Sequence, residues 1–125
     1  MTESRIYTGG CHCGAVRYRV TARTEVLHEC NCSICRMKGY LHLIVPRSDF
    51  ELLAGGDCLL DYQFNTRVAH HYFCKVCGVA SFYVPRSHPH GYSVNARCLD
   101  AGALGDFTVQ PFDGEHWEAN VHSIR

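Results

Sequence analysis

The residues with the most chemical potential in this chain are its cysteines, and most of them come in groups. The stretch Glu29–Arg36 reads E-C-N-C-S-I-C-R and puts Cys30, Cys32 and Cys35 within a few residues of one another. Cys11 and Cys13 stand upstream in G-G-C-H-C-G, and Cys74 and Cys77 downstream in F-C-K-V-C-G. A sulfur at every second or third position lets a turning backbone aim several thiolates at one point. Zinc asks for that geometry, four soft ligands in a tetrahedron at roughly 2.3 Å. Seven clustered cysteines divide most simply into four plus three. Four sulfurs close a structural site, while three leave one coordination position open for chemistry.

A disulfide framework is the competing use of nine cysteines in 125 residues. The count is odd, and Met1-Thr2-Glu3-Ser4-Arg5 leads into the first motif without an apolar leader. C-x-C and C-x-x-C spacings also suit distant pairing poorly, so metal ligation is the better reading. Cys74, Cys77 and Gly78 form half of a zinc knuckle, and Cys11 and Cys13 can supply the other half. The long separation is no obstacle, because a metal closing a large loop ties distant segments together. The three-cysteine loop keeps two readings: an open catalytic site, or a second structural site completed by a histidine. His28, His42, His70 and His71 are the candidates for that fourth ligand, and the adjacent His70 and His71 cannot both face one site. Cys58 and Cys98 lie outside the groups and read as small buried hydrophobes. Lys38, Arg47, Arg67, Arg86 and Arg97 are scattered; one or two beside an open zinc could hold a carboxylate.

These side chains must be positioned by short strands. Ile6–Thr8 leads into Gly9-Gly10, and Gly10 and Gly14 bracket C-H-C and permit a tight backbone there. From Ala15 to Val20 the chain alternates, with Val16, Tyr18 and Val20 on one face and Arg17 and Arg19 on the other. Val26-Leu27 enters the three-cysteine loop, Gly39 turns out of it, and Leu41–Val45 is a strand stopped by Pro46. Ser48–Leu53 reads either as one capped helical turn or as extended chain. After the turn Ala54-Gly55-Gly56-Asp57, Leu60, Tyr62 and Phe64 alternate, Asn65-Thr66 turns, and Val68–Phe73 runs back to the C-x-x-C. Val79–Val84 and Tyr92–Asn95 are further strands. Phe107–Val109, a Pro-Phe-Asp-Gly turn and a final helical turn at Trp117 make the tail. Frequent turn signals and no long helical period predict an all-β fold, a single domain over 1–125 without a linker.

Lys plus Arg and Asp plus Glu each number 12, for a formal net charge of zero. No basic run appears, so no nucleic-acid partner is expected. No stretch approaches the ~20 apolar residues of a membrane span. A soluble, cytoplasmic protein is the expectation.

Taken together, G-G-C-H-C-G-A-V-R-Y, C-N-C-S-I-C, H-L-I-V-P, F-N-T, H-x-F-C-x-x-C-G and C-L-D resemble the glutathione-dependent formaldehyde-activating (GFA) family. Within it, the likeness is to short members similar to centromere protein V, and it runs from Gly9 to about Trp117. The resemblance implies a β-tent type zinc-binding fold of antiparallel sheets with short helical turns. It implies two Zn2+ per chain, with Cys11, Cys13, Cys74 and Cys77 at a structural site and Cys30, Cys32 and Cys35 at a catalytic one. It further implies a carbon–sulfur lyase that forms or cleaves S-hydroxymethylglutathione, with glutathione or another small thiol and an aldehyde as partners. Centromere protein V carries a long basic N-terminal extension. No basic run precedes the first motif here, so no chromatin or microtubule role is expected. Two other classes compete with the enzyme: a thiol-binding carrier without turnover, and a structural two-zinc interaction module. The module predicts that a side chain of the protein fills the fourth position beside the three cysteines.

Overall fold

The computed structural model describes residues 4–124; Met1 to Glu3, where the absence of an apolar leader is read, lie outside them. Ten strands follow in order: β1 Arg5–Gly10, β2 Arg17–Ala22, β3 Val26–Cys30, β4 Leu41–Pro46, β5 Phe50–Ala54, β6 Leu59–Tyr62, β7 His70–Cys74, β8 Phe82–Val84, β9 Gly91–Asn95 and β10 Thr108–Phe112. Two short helices accompany them, α1 Ser33–Lys38 and α2 Trp117–Asn120. The strands make two open sheets, one ordered β1-β2-β5 and the other β10-β3-β4-β9-β8-β7-β6. The expected all-β fold is what forms.

Several local readings change. The antiparallel expectation holds for every sheet pair but one: β10 lies parallel to β3, with Pro111 opposite Glu29. Pro111 therefore belongs to a strand rather than to a turn. It is tolerated because β10 is at the sheet edge, where a missing N–H leaves no neighbouring strand short of a bond. Ser48–Leu53 contains both of its alternatives, a 3-10 turn over Arg47–Asp49 and then β5. The return strand starts only at His70, because Asn65 and Arg67 both take left-handed backbone angles, φ 56° and 58°, and lengthen the turn. The three-cysteine stretch, read as a loop, carries α1. That helix ends at Gly39, whose left-handed φ of 66° lets its N–H reach back to the carbonyls of Arg36 and Cys35.

Alternation along the strands separates two jobs. Val16, just before β2, and Tyr18 and Val20 within it are fully buried and meet Leu27, Leu41, Leu43, Val45 and Val94 of the large sheet. Aromatic rings fill the space between the sheets: Phe50 stacks on Tyr92 at 4.4 Å and meets Phe82 at 4.8 Å. The intervening residues point the other way, since successive side chains of a strand face opposite sides. Thus His28 and Cys30 of β3, His42 and Ile44 of β4, His71 of β7 and Tyr83 of β8 share the second face of the large sheet, where they line one cavity. One face holds the molecule together, and the other carries polar chemistry. No helix among the described residues is long and apolar enough to cross a membrane.

Candidate metal centres

Two turns of similar design build the first centre. After Cys13, Gly14 takes φ 83° and its N–H bonds the Cys11 carbonyl at 3.2 Å. After Cys77, Gly78 takes φ 78° and its N–H bonds the Cys74 carbonyl at 2.8 Å. Glycine accepts that left-handed backbone without penalty, which lets each turn curl both of its sulfurs inward. Backbone N–H groups then point at sulfur, Val16 to Cys11 Sγ at 3.3 Å and Val76 to Cys74 Sγ at 3.4 Å.

The four sulfurs of Cys11, Cys13, Cys74 and Cys77 all lie within 4.8 Å of one another. Cys11 and Cys13 are 3.6 Å apart, and Cys13 and Cys74 3.7 Å. A tetrahedron with zinc–sulfur bonds of about 2.3 Å has edges of about 3.8 Å. The donor set, the spacing and the N–H···S bonds all suit a closed zinc site.

The second centre sits at the C-terminal end of β3 and the start of α1. Cys30 ends the strand, Cys32 occupies the N-cap position of α1, and Cys35 lies within the helix, 4% exposed. The Arg36 N–H donates to the Cys32 carbonyl at 3.0 Å, so the first helical turn fixes the spacing between Cys32 and Cys35. Hydrogen bonds from the Cys30 and Cys35 thiols favour the charged form of Cys32 and bring it down to about 2. Cys30 is pushed up to about 11, chiefly by its bond with Cys32, and Cys35 is raised by the same two neighbours and by burial. Crowding thus opposes ionising all three sulfurs at once, and a divalent cation would relieve that opposition.

His42 adds a nitrogen donor beside Cys30 and Cys35, in a group that does not take in Cys32. Its ring is 4% exposed and lies between Tyr40, 4.5 Å away, and Tyr83, 5.6 Å away. Nδ1 is 2.8 Å from Ser93 Oγ and 3.4 Å from the Tyr83 hydroxyl. A side-chain nitrogen of His42 joins the sulfurs of Cys30 and Cys35 in a second group whose members all lie within 4.8 Å of one another. Burial pushes the imidazole down to about 3, so it is neutral at physiological pH, as a metal ligand must be. Of the other candidate histidines, His28 and His71 line the cavity, whereas His70 bonds Asp61 at 2.7 Å in an exposed pair.

Four residues to which the motif reading gave no role, Asn31, Asp113, Gly114 and Glu115, hold the cysteine loop in place. Asn31, between Cys30 and Cys32, donates from Nδ2 to Asp113 Oδ1 at 3.1 Å and accepts from the Glu115 N–H at 2.9 Å. Gly114 lies against the loop so closely that a Cβ there would be 2.2 Å from Cys30 Sγ. These partners are more than 80 positions apart in sequence, and no local pattern announces them. The other sequence candidates separate as well. Cys58 packs half-buried at the rim of the core, and burial pushes the half-buried Cys98 thiol up to about 11.

A cavity of about 710 Å³ opens over this face, lined by Cys30, Cys32, Cys35 and His42 and also by Arg86 and Trp117. The Arg86 guanidinium lies 3.9 Å above the Trp117 ring and 3.6 Å from Glu118. Lys38 Nζ, whose charge is disfavoured by burial, sits 3.1 Å from His71 Nδ1 and faces the Tyr40 and Tyr83 rings at 5.1 and 4.9 Å. Of the scattered basic residues, Arg86 alone belongs to the cavity wall, while Lys38 lies behind it against His71 and the two tyrosines.

Two open β sheets with four sulfurs converging where they meet, and a second cysteine group facing a cavity, define a β-tent protein with side chains that could hold metal. The chain belongs to the glutathione-dependent formaldehyde-activating enzyme family, whose sequence profile matches residues 6–118. A Halomonas elongata protein bearing that family's name is 33% identical over 81 residues, which are 58% of this chain and 52% of that protein. The chain therefore spans about half the length of that curated relative. A crystal structure of a Rhodobacter sphaeroides protein is similar at a TM-score of 0.74 and 36% identity, covering 83% of this chain and 97% of that one.

Proposed function

We propose that the chain works as a single zinc-binding domain and a carbon–sulfur lyase of the GFA type, forming or cleaving S-hydroxymethylglutathione or a similar thiol–aldehyde adduct. The observation that carries this reading is the placement of Cys30, Cys32 and Cys35 in the wall of the 710 Å³ cavity, open to a small molecule. Cys11, Cys13, Cys74 and Cys77 would hold a structural zinc and the three cavity cysteines a catalytic one. A zinc ion bound by those three sulfurs supplies a positive charge that keeps an incoming thiol ionised at neutral pH.

The reaction itself is an addition. A sulfur–carbon bond forms as the carbonyl double bond of formaldehyde opens, and the hydrogen first carried by the thiol ends on the new hydroxyl oxygen. The lyase direction reverses each change. Tyr83, Ile44 and Phe112 give the cavity an apolar wall that limits water around the reacting carbon. Arg86, oriented by Trp117 and Glu118, supplies a fixed guanidinium for a glutathione carboxylate.

One observation favours a second reading. The approach of His42 to Cys30 and Cys35 offers a ligand set made of protein side chains alone, which is what a structural two-zinc module requires. Blocking the thiol separates the two. Zinc-loaded protein is expected to bind glutathione and to lose that binding for S-methylglutathione, whose sulfur cannot ionise. Equal binding of both, or of neither, would mean that no ligand sulfur engages the three-cysteine centre, and the lyase reading would fall.

A further inference from the structure

His42 Nε2 is the one side-chain nitrogen or oxygen among the described residues that is fully buried and has no hydrogen-bond partner. Buried polar atoms are nearly always satisfied, so an orphan of this kind calls for an absent partner. Its position names the partner's class. The imidazole belongs to the donor group with the sulfurs of Cys30 and Cys35, and both rings beside it are tyrosines whose apolar faces offer Nε2 nothing. Nδ1 lies 2.8 Å from Ser93 Oγ, and in the tautomer in which Nδ1–H donates to that oxygen the neutral ring presents a bare lone pair at Nε2. A second hydrogen bond that fixes the tautomer and the ring orientation is the usual support of a metal-binding histidine.

We propose that His42 is an exchangeable ligand of the metal at the Cys30, Cys32 and Cys35 centre. It fills the fourth position at rest and yields that position to the thiolate of the substrate. The inference rests on the lyase reading above and adds a resting state to it. Exchange rather than permanent closure follows from two features. The leaving ligand is neutral and the entering one is an anion, and Lys38 Nζ, which lies behind the cavity wall 3.1 Å from His71 Nδ1 and 4.9 Å from the Tyr83 ring, is the basic group nearest to where that negative charge is added. The centre also lines the cavity rather than lying beneath it, so the entering sulfur has a path that does not require the fold to open. In the exchange the imidazole departs uncharged, and the thiol gives its proton to solvent as the sulfur binds. His42 stays on β4 throughout, held by Ser93 and ready to return when the product leaves.

X-ray absorption at the zinc edge of the full-length, zinc-loaded protein tests this, because imidazole has a multiple-scattering signature that sulfur lacks. The wild-type protein is expected to show one imidazole per two zinc ions, and saturating glutathione should remove it while adding one sulfur. His42→Ala should lack the imidazole from the start. Since that variant leaves a hole in a buried site, Ser93→Ala provides a milder check. It should keep the fold and the imidazole signal but lose about 10- to 100-fold in affinity for one of the two zinc ions, the effect usual for an outer-shell partner. An imidazole signal that persists at saturating glutathione would overturn the exchange, as would its absence from the unliganded wild type. Failure of the thiol-binding step on which the lyase reading rests looks different: the spectrum would not respond to glutathione and glutathione would not bind at all.

Discussion

At the scale of single residues, the second centre depends on one position that carries no side chain. Gly114 is pressed against Cys30, and a methyl group there would overlap the sulfur at 2.2 Å and crowd Cys32 Cβ at 3.0 Å. Gly114→Ala must therefore push either the cysteine loop or the segment after β10 out of place. Overpacking of this kind costs about 1–3 kcal/mol. The variant is expected to melt earlier than wild type and to release one of its zinc ions more readily to a chelator. Equal melting temperature and equal zinc retention would show that the loop is not held there. Nothing in the local sequence singles out Gly114, since its contact is with a segment more than 80 residues away. The cysteines were legible for the opposite reason, because the backbone between Cys30 and Cys35 is too short to send their sulfurs far apart. His42 is intermediate. Four histidines competed on equal terms; the pairing of β3 with β4 puts His28 and His42 side by side on the cavity face, and only the folded distances join His42 to Cys30 and Cys35.

At the scale of elements, the division of the large sheet into a packing face and a site face follows from strand alternation, and its strands β4 and β9, like β2 of the smaller sheet, could be read directly. The parallel seat of β10 could not, because hydropathy reports which residues are buried but not the direction of the neighbouring strand. The same limit hid α1, whose six residues are too few to show a helical period. The site face has a consequence for pH. Burial pushes His71 of β7 from its ordinary 6.5 down to about 4, with the Lys38 charge acting in the same direction. The unfolded chain then takes up a proton at higher pH than the folded one. The contribution of His71 to stability is full above about pH 6.5 and is lost as the pH falls from there through about 4. Denaturant titrations across that window should show declining stability, and His71→Gln should flatten the decline. If the variant loses stability with acid as steeply as wild type, His71 is not held neutral by the fold.

At the scale of the whole molecule, the two centres have unequal structural weight. The first brings the turn after β1 beside the end of β7 across about 60 residues of chain, so a metal held there would act as a long-range tie. Zinc binding in small structural sites is worth on the order of 10 kcal/mol, comparable with the entire net stability of a typical domain at roughly 5–15 kcal/mol. Cys77→Ser is therefore expected to unfold the protein or leave it insoluble. The second centre closes only the short loop from Cys30 to Cys35, and Cys32→Ser should keep a near-native circular dichroism spectrum with about one zinc fewer. The reverse pattern would exchange the structural and catalytic assignments. Turnover at the cavity centre is the claim on which the rest depends, and exchange spectroscopy by NMR on a mixture of formaldehyde, glutathione and S-hydroxymethylglutathione reads it directly. Zinc-loaded wild-type protein should speed exchange between free and adduct glutathione beyond the uncatalysed rate, and folded Cys32→Ser should not. Exchange that stays at the uncatalysed rate while glutathione still binds would contradict the account and leave a carrier in place of a lyase.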